Sequence, residues 1–382
     1  MAAGRPSLPL TLARACAWAL LIGGWVGIGS FALRAAPSVA GGFALVALWL
    51  LALGGAAAGA TRALPRWARG LALAACAAVT AAALLWAVRG GGRAAVVLAL
   101  LGWAALTALA SGVVRGLRLA EPMAPRPPIA AASLGALAAA LVLGDTGDLS
   151  GLAWRLTLFV GAIATLLIAL QRRIDSRAPA PGCRAGLFDC SLPAWPAGAW
   201  RDAGQWPVLL AGLAMLPMMA ALPLMADWCR AQQVAPQAMV LLHVAAMFGP
   251  ALALQSRIAA WAPRSLALAC MLLLAVGAAT AVAAPAPWDL LGLAASHGAA
   301  WGLAWGGQLW APARRGQQGA SPLRAAAGYA LLTLLFGLAV EWAGARGVIS
   351  VHAALGLAAA VAMLAGVMRR TPDAAARPRV EG

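Results

Sequence analysis

The sequence predicts an all-α polytopic membrane protein with twelve transmembrane helices in two six-helix pseudo-symmetric bundles. Three observations lead to this prediction. Hydrophobic residues make up 63% of the 382 residues and charged residues only 10%, which excludes a water-soluble globule. Apolar runs of about 20 residues, the length that crosses a bilayer, recur between short loops that carry arginine. A loop pattern from the first half of the chain also recurs in the second half.

Each apolar run is expected to form one membrane-spanning helix. The run nearest the amino terminus resembles the start of a signal peptide, but we expect it to remain as the first span because it is long and eleven more follow. The predicted spans cover residues 15–34, 39–60, 70–88, 94–114, 129–144, 151–170, 206–226, 236–256, 265–284, 289–308, 323–342 and 349–368.

One long polar segment divides the chain into two sets of six spans. It is rich in Pro, Gly and Arg. The division predicts an amino-terminal bundle in residues 1–170, a cytoplasmic linker in 171–205, and a carboxy-terminal bundle with the candidate metal site in 206–382. The halves echo one another at an offset of 195 residues, because Arg62 and Arg69 recur as Arg257 and Arg264. Such an echo is typical of a duplicated six-helix unit.

The arginines predict the orientation of the chain in the membrane. All 28 basic residues are arginine, and the formal net charge is +17. With both termini in the cytoplasm, 22 arginines lie on the cytoplasmic side, as the positive-inside rule requires. Because they are dispersed over many loops, they do not indicate a nucleic-acid-binding surface. The six external arginines are Arg34, Arg89, Arg93, Arg155, Arg230 and Arg346.

Residues 207–264 contain six of the eleven methionines and predict a metal site. Met215 and Met219 are four residues apart, as are His243 and Met247, so each pair shares one face of its helix. If these spans are antiparallel neighbours, Met219 lies opposite His243, and Met215 lies opposite Met247. Thioether and imidazole are soft ligands that select Cu(I). The alternative is that these methionines only fill gaps in apolar helices.

Two further residues are secondary candidates for the site. Met239 continues the stripe of His243 and Met247 by one more helical turn. His297 lies near the middle of the tenth span, where it could form a third side of the cavity or hydrogen-bond to a neighbouring helix. His243 should bind a metal as the neutral ring, so that protons compete with the metal.

The second and eighth spans are each followed by a Gly- or Arg-bearing loop that resembles the signature loop of the major facilitator superfamily. The first loop has the sequence GAAAGATRALPRWARG and the second QSRIAAWAPR. Both lack the Asp that is usual in that family, so a gating ion pair built on that residue is not expected. The resemblance implies an alternating-access transporter with two six-helix bundles around a central cavity, and we expect it to act as a monomer.

A narrower resemblance covers about forty residues. The segment HVAAMFGPALAL, which begins at His243, resembles an HxxxMFxPS pattern in a bacterial subgroup of the superfamily. Together with MxxxM at Met215 and Met219, it is similar to the copper importers that supply cytochrome oxidase assembly. The resemblance implies Cu(I) as the imported cargo, with no permanently bound cofactor. It also implies Met215, Met219, His243 and Met247 as ligands, and the bacterial inner membrane as the location.

Cys183 and Cys190 in the linker could pass copper to a cytoplasmic acceptor, and Asp227 and Cys229 could meet an incoming cation at the outer end. Two other functions remain open. One is export of a hydrophobic or cationic organic compound, and the other is a non-transporting membrane assembly factor on the same fold. No motif of an enzyme is present, so we expect no catalytic activity, and the lipid bilayer and a small cargo are the expected partners.

Overall fold

The computed structural model describes residues 8–59, 66–120, 129–143, 148–175, 226–254, 261, 263–310, 323 and 326–344. These residues form helices and short connections, and none of them is in a β-strand, as the fold prediction requires. The elements are α1 (Leu8–Gly23), a π-helical segment (Gly24–Ile28), α2 (Gly29–Ala35), α3 (Val39–Gly59), α4 (Arg66–Val88), α5 (Gly92–Ala120), α6 (Ile129–Leu143), α7 (Leu149–Asp175), α8 (Ala226–Ala231), α9 (Pro236–Ala253), α10 (Pro263–Ala283), α11 (Trp288–Trp310) and α12 (Ala326–Gly344).

Six of the described helical segments are long and apolar enough to cross a bilayer. They correspond to predicted spans one to four, six and eleven. Helices α6, α9, α10 and α11 match predicted spans five, eight, nine and ten within a few residues. Predicted spans seven and twelve lie outside the described residues. The spanning segments are Leu8–Ala35, Val39–Ala57, Ala68–Val88, Gly92–Val114, Leu149–Arg172 and Ala326–Gly344.

The first span differs from its prediction because its helix begins at Leu8 and includes Arg14. That arginine is only 2% exposed, although its charge suggested a loop before the span. The helix ends at Ala35, because Pro37 favours an extended backbone at the preceding residue, and Ala36 has a ψ angle of 149°.

The amino-terminal bundle is organised around α1. The most apolar stretch of the first span is entirely buried, whereas α4 turns much of its surface outward. Helix α1 packs against α5 and α6. The indole Nε1–H of Trp103 in α5 donates to the Leu20 carbonyl of α1 over 2.9 Å. The ring of Trp103 also stacks on Phe159 of α7, with ring centroids 6.2 Å apart. These contacts fix α1 against α5 and α6, and α5 against α7.

The two halves meet at their predicted outer ends. Gln237 at the start of α9 donates from Nε2 to the Leu141 carbonyl of α6 over 2.8 Å. The Ala40 N–H in the first turn of α3 donates to the Glu341 carboxylate of α12 over 2.6 Å. Next to this bond, the rings of Phe43 and Phe336 make an edge contact at 5.5 Å. The pairs α6–α9 and α3–α12 therefore close the predicted outer side of the interface.

Large apolar side chains cover the outward faces of the described helices. A water-soluble protein rarely exposes so many, but a lipid-facing surface requires them. Examples are Leu71 at 65%, Leu134 at 61%, Leu158 at 68% and Leu338 at 59% exposure.

Candidate metal and cargo site

Helix α9 carries the described part of the candidate site. Pro236 occupies the first turn, where its missing N–H costs no helical hydrogen bond. Met239, His243 and Met247 follow at four-residue spacing and are all buried. His243 lies seven residues after Pro236, about 10 Å along the axis at 1.5 Å per residue. The stripe therefore extends from near the predicted outer surface to the middle of the membrane.

The imidazole ring of His243 is held in one tautomer. Its Nδ1 lies 2.9 Å from the carbonyl oxygen of Ala294 in α11. A carbonyl can only accept a hydrogen bond, so Nδ1 carries the proton and Nε2 carries the lone pair. Within the residues that the structure describes, Nε2 is buried and has no hydrogen-bond partner. This arrangement is typical of a metal-binding histidine, which donates its other ring N–H to a fixed acceptor.

Three aromatic rings lie next to Met247 where the two halves meet. Phe248 follows Met247 in α9, and its ring centroid lies 6.0 Å from that of Trp18 in α1 and 6.1 Å from that of Trp301 in α11. The rings of Trp18 and Trp301 are 6.3 Å apart. All three contacts are edge-on, the geometry that aromatic pairs prefer. We call Trp18, Phe248 and Trp301 the aromatic triangle.

The aromatic triangle lies on the predicted cytoplasmic side of His243. Phe248 is five residues beyond His243 along α9, about 7 Å further into the membrane. Trp18 belongs to the first half of the chain, and the other two rings belong to the second. The aromatic triangle therefore joins the two halves of the chain on the predicted cytoplasmic side of His243.

Met239 contacts Cys229, a pairing that was not predicted from the sequence. The Cys229 Sγ–H of α8 donates to the Met239 Sδ over 3.5 Å, and both side chains are buried. Burial raises the pKa of the Cys229 thiol, which favours the protonated donor form. The contact depends on the tight connection after α8, where Gln233 has a φ angle of 57°. In the sequence, only the short spacing between Cys229 and Met239 indicates this contact.

A polar pair lies near the same end of the site. Gln232 donates from Nε2 to the Asp289 carboxylate over 2.7 Å. The other Asp289 oxygen accepts the Leu290 N–H over 2.8 Å, which places a negative charge at the first turn of α11. This contact ties the connection after α8 to the start of α11.

His297 faces a different helix from the one that carries His243. A methyl group built at Gly277 of α10 would lie 3.6 Å from the His297 Cδ2. The ring is buried beside α10, whereas Ala294 on the same helix faces α9.

The remaining predicted ligands lie outside the described residues. These are Met215 and Met219 on the predicted seventh span, and Cys183 and Cys190 in the linker. Among the residues that the structure does describe, no group of three or more His, Cys, Asp or Glu side chains could hold a metal ion. Of the predicted ligands on α9, the imidazole of His243 and the thioethers of Met239 and Met247 lie within the described residues.

The fold is shared with solved transporters over nearly the whole chain. The nucleoside transporter NupG aligns with a TM-score of 0.64 and 14% identity, covering 94% of this chain and 98% of that one. The xylose transporter XylE from E. coli, a major facilitator superfamily proton:xylose symporter, gives 0.55 and 14%, with 94% and 95% covered. The E. coli fucose:proton symporter FucP gives 0.52 and 14%, with 94% and 98% covered.

No protein family model matches the chain, and no curated protein sequence matches it significantly. These structural similarities establish the fold alone. The sequence identities are too low for the cargo of this chain to be inferred from that of the solved transporters. The chain is an all-α polytopic membrane protein with the major facilitator fold, which confirms the predicted fold class.

Proposed function

We propose that this protein is an alternating-access transporter that moves Cu(I) inward across the bacterial inner membrane. Copper is the cargo and is bound only in passage, so the protein needs no permanent cofactor. The predicted ligands are Met215, Met219, His243 and Met247, with Met239 on the outer approach. Both termini lie in the cytoplasm, and a single chain provides the transport path between its bundles, residues 1–170 and 206–382.

The tautomer of the buried His243 ring is the observation that supports this proposal most strongly. Its Nδ1–H is bonded to the Ala294 carbonyl, which leaves the Nε2 lone pair in a buried environment. A polar atom inside a membrane protein is costly unless it is paired or has a functional partner. Cu(I) supplies such a partner, because imidazole nitrogen and thioether sulfur are both soft donors.

The choice of ligands also suits a transporter that must release its cargo. Met247 lies one helical turn from His243 on the same face of α9 and is buried. Neutral thioethers hold Cu(I) less firmly than thiolates do, so the ion can leave when the halves rearrange. Reduced Cys183 and Cys190 in the cytoplasmic linker are the proposed first acceptors on the inner side.

Copper accumulation in cells tests the proposal. Cells that depend on this protein for copper uptake would carry the wild type or one variant, and cell-associated copper would be measured at equal protein abundance. Met247→Leu removes the thioether but nearly keeps the volume, and volume-conserving substitutions usually cost less than about 1.5 kcal/mol. Met271→Leu is the matched control, because Met271 is equally buried but lies on α10 outside the motif.

We expect His243→Ala, Met247→Leu and Met219→Ala to lower copper accumulation, and Met271→Leu to leave it near the wild-type level. Restoration of the phenotype by added copper would support the assignment. If all three motif variants accumulate as much copper as Met271→Leu does, the protein is not a copper transporter of this kind.

The aromatic triangle favours a second candidate function, the export of a hydrophobic or cationic organic compound. Aromatic faces attract cations and apolar rings alike. An exporter predicts that loss of the protein raises sensitivity to such compounds while cellular copper stays unchanged. Measuring compound tolerance and copper content in the same cultures separates the two functions.

A further inference from the structure

Helix α11 approaches α9 more closely than side chains normally allow. A Cβ built on Gly298 would overlap the His243 carbonyl oxygen and lie 3.0 Å from the Ala246 Cβ. A Cβ built on Gly302 would overlap the Met247 carbonyl oxygen. Positions 298 and 302 therefore require glycine for the observed packing, with α11 running parallel to α9.

These two glycines form a GxxxG pattern directly opposite the HxxxM pattern. Gly298 lies against His243, and Gly302 lies against Met247, so the two four-residue steps advance together along parallel helices. Small residues at such spacing let membrane helices pack backbone against backbone. The close approach fixes both the depth and the rotation of α9 relative to α11.

The same face of α11 supplies the hydrogen bond that orients His243. Ala294 lies one turn before Gly298, and its carbonyl accepts the His243 Nδ1–H. In an α-helix this carbonyl also accepts the Gly298 N–H, so both of its lone pairs are used. A side chain at position 298 would push α9 away and lengthen the bond to Nδ1.

We propose that Ala294, Gly298 and Gly302 of α11 position His243 and Met247 for Cu(I). The glycines set the distance between the helices, and the Ala294 carbonyl holds the His243 ring with Nε2 directed away from α11. This role rests on the proposed function for its cargo, but the control of the ring can be measured without copper. Partners that orient a metal ligand typically contribute about 10–100-fold in affinity or activity.

A transport experiment tests this role with Gly298→Ala and Gly302→Ala. The matched control is Gly249→Ala, because a Cβ built on Gly249 of α9 meets nothing within 4 Å among the described residues. Initial rates of copper uptake would be measured over a range of copper concentrations and normalised to protein in the membrane. We expect each α11 variant to raise the KM for copper about 10–100-fold, while Gly249→Ala keeps the wild-type KM.

The effect of a variant on KM and its effect on the maximal rate distinguish a positioning defect from a folding defect. A variant that merely folds poorly lowers the maximal rate in proportion to the fraction of its molecules that is active and leaves the KM unchanged. An unchanged KM in both α11 variants, with copper uptake intact in the wild type, would overturn the positioning role while the proposed function stands.

Nitrogen-15 NMR of the purified, copper-free protein provides a second measurement. The chain has only three histidines, so the His243 signals can be assigned by their loss in His243→Asn. We expect the wild-type ring to carry its proton on Nδ1, and Gly298→Ala to shift the population towards the Nε2–H tautomer that is favoured in water. A wild-type ring protonated on Nε2 would overturn the proposal.

The two measurements fail independently. Suppose that the wild type shows the Nδ1–H tautomer, that Gly298→Ala loses this tautomer, and that the wild type transports no copper. Then α11 does orient the ring, and the copper function is wrong. If copper is transported and the ring is protonated on Nε2, the function stands and the positioning role is wrong.

Discussion

Replacement of Trp18 by alanine should weaken the contact between the two halves without unfolding either of them. The Trp18 ring is 3% exposed and makes edge contacts with Phe248 and Trp301, both in the other half of the chain. An aromatic pair of this geometry contributes about 0.5–1.5 kcal/mol. Losing two pairs should therefore cost the arrangement that is closed on the cytoplasmic side about 1–3 kcal/mol, which corresponds to a change of about 5–150-fold in its population.

Cross-linking at the outer interface reports the opposing population, because in alternating access the outer side closes when the cytoplasmic side opens. Leu141→Cys and Gln237→Cys replace residues that are hydrogen-bonded across the halves, in a background whose six native cysteines are replaced. A short bismaleimide would join the pair only when the outer side is closed. We expect Trp18→Ala to speed this cross-linking, because the contacts that it removes lie on the predicted cytoplasmic side.

The matched control is Trp25→Ala. Trp25 is also 3% exposed, but its edge contact at 5.3 Å is with Trp49 in the same half. This substitution should lower thermal stability and leave the cross-linking rate near that of the parent. Equal rates in Trp18→Ala and the parent, or an equal increase in both tryptophan variants, would refute the inference that the aromatic triangle holds the halves together.

Two further outcomes follow from described contacts. Trp103→Phe keeps the ring stack on Phe159 but removes the hydrogen bond to the Leu20 carbonyl, so the free energy of unfolding should fall by about 1 kcal/mol with little effect on transport. Thermal unfolding in detergent measures this loss, and an unchanged melting temperature would contradict the role of that bond. Cys229 should react slowly with maleimide at pH 7 and faster as the pH rises. The thiolate is the nucleophile, and burial of the thiol raises its pKa. Fast labelling at neutral pH would contradict this environment.

Most of the helical framework was predictable from local composition. The second span was predicted at 39–60, and α3 covers Val39–Gly59, because a long uninterrupted apolar run leaves few places for the helix to end. The start of the first span was harder to locate. A charged residue normally marks the end of an apolar run, yet Arg14 is enclosed by the amino-terminal bundle, and no pattern in the nearby sequence indicates this.

The candidate site could be predicted only as a set of helical faces. The four-residue spacing places Met239, His243 and Met247 on one face of α9, and all three side chains are buried. The partner of His243 was not predictable, because Ala294 contributes a backbone carbonyl and its side chain carries no chemical signal. The contact of Trp18 with Phe248 spans most of the chain and arises only when the two bundles pack together.

The sequence also contains a pattern that indicates close packing of α11 against another helix. Gly298 and Gly302 form a GxxxG motif within an apolar helix, which is a recognised signal for close helix packing. The motif does not specify which helix it will contact, so its relation to His243 required the three-dimensional structure.

Cu(I) flux into proteoliposomes that contain only this protein is the most direct test of copper transport. Vesicles with a Cu(I) chelator trapped inside would receive the wild type, His243→Ala or Met271→Leu at equal protein content. We predict rapid copper accumulation with the wild type and with Met271→Leu, and accumulation near the rate of protein-free vesicles with His243→Ala. Equal rates in wild-type and protein-free vesicles would contradict copper transport by this protein.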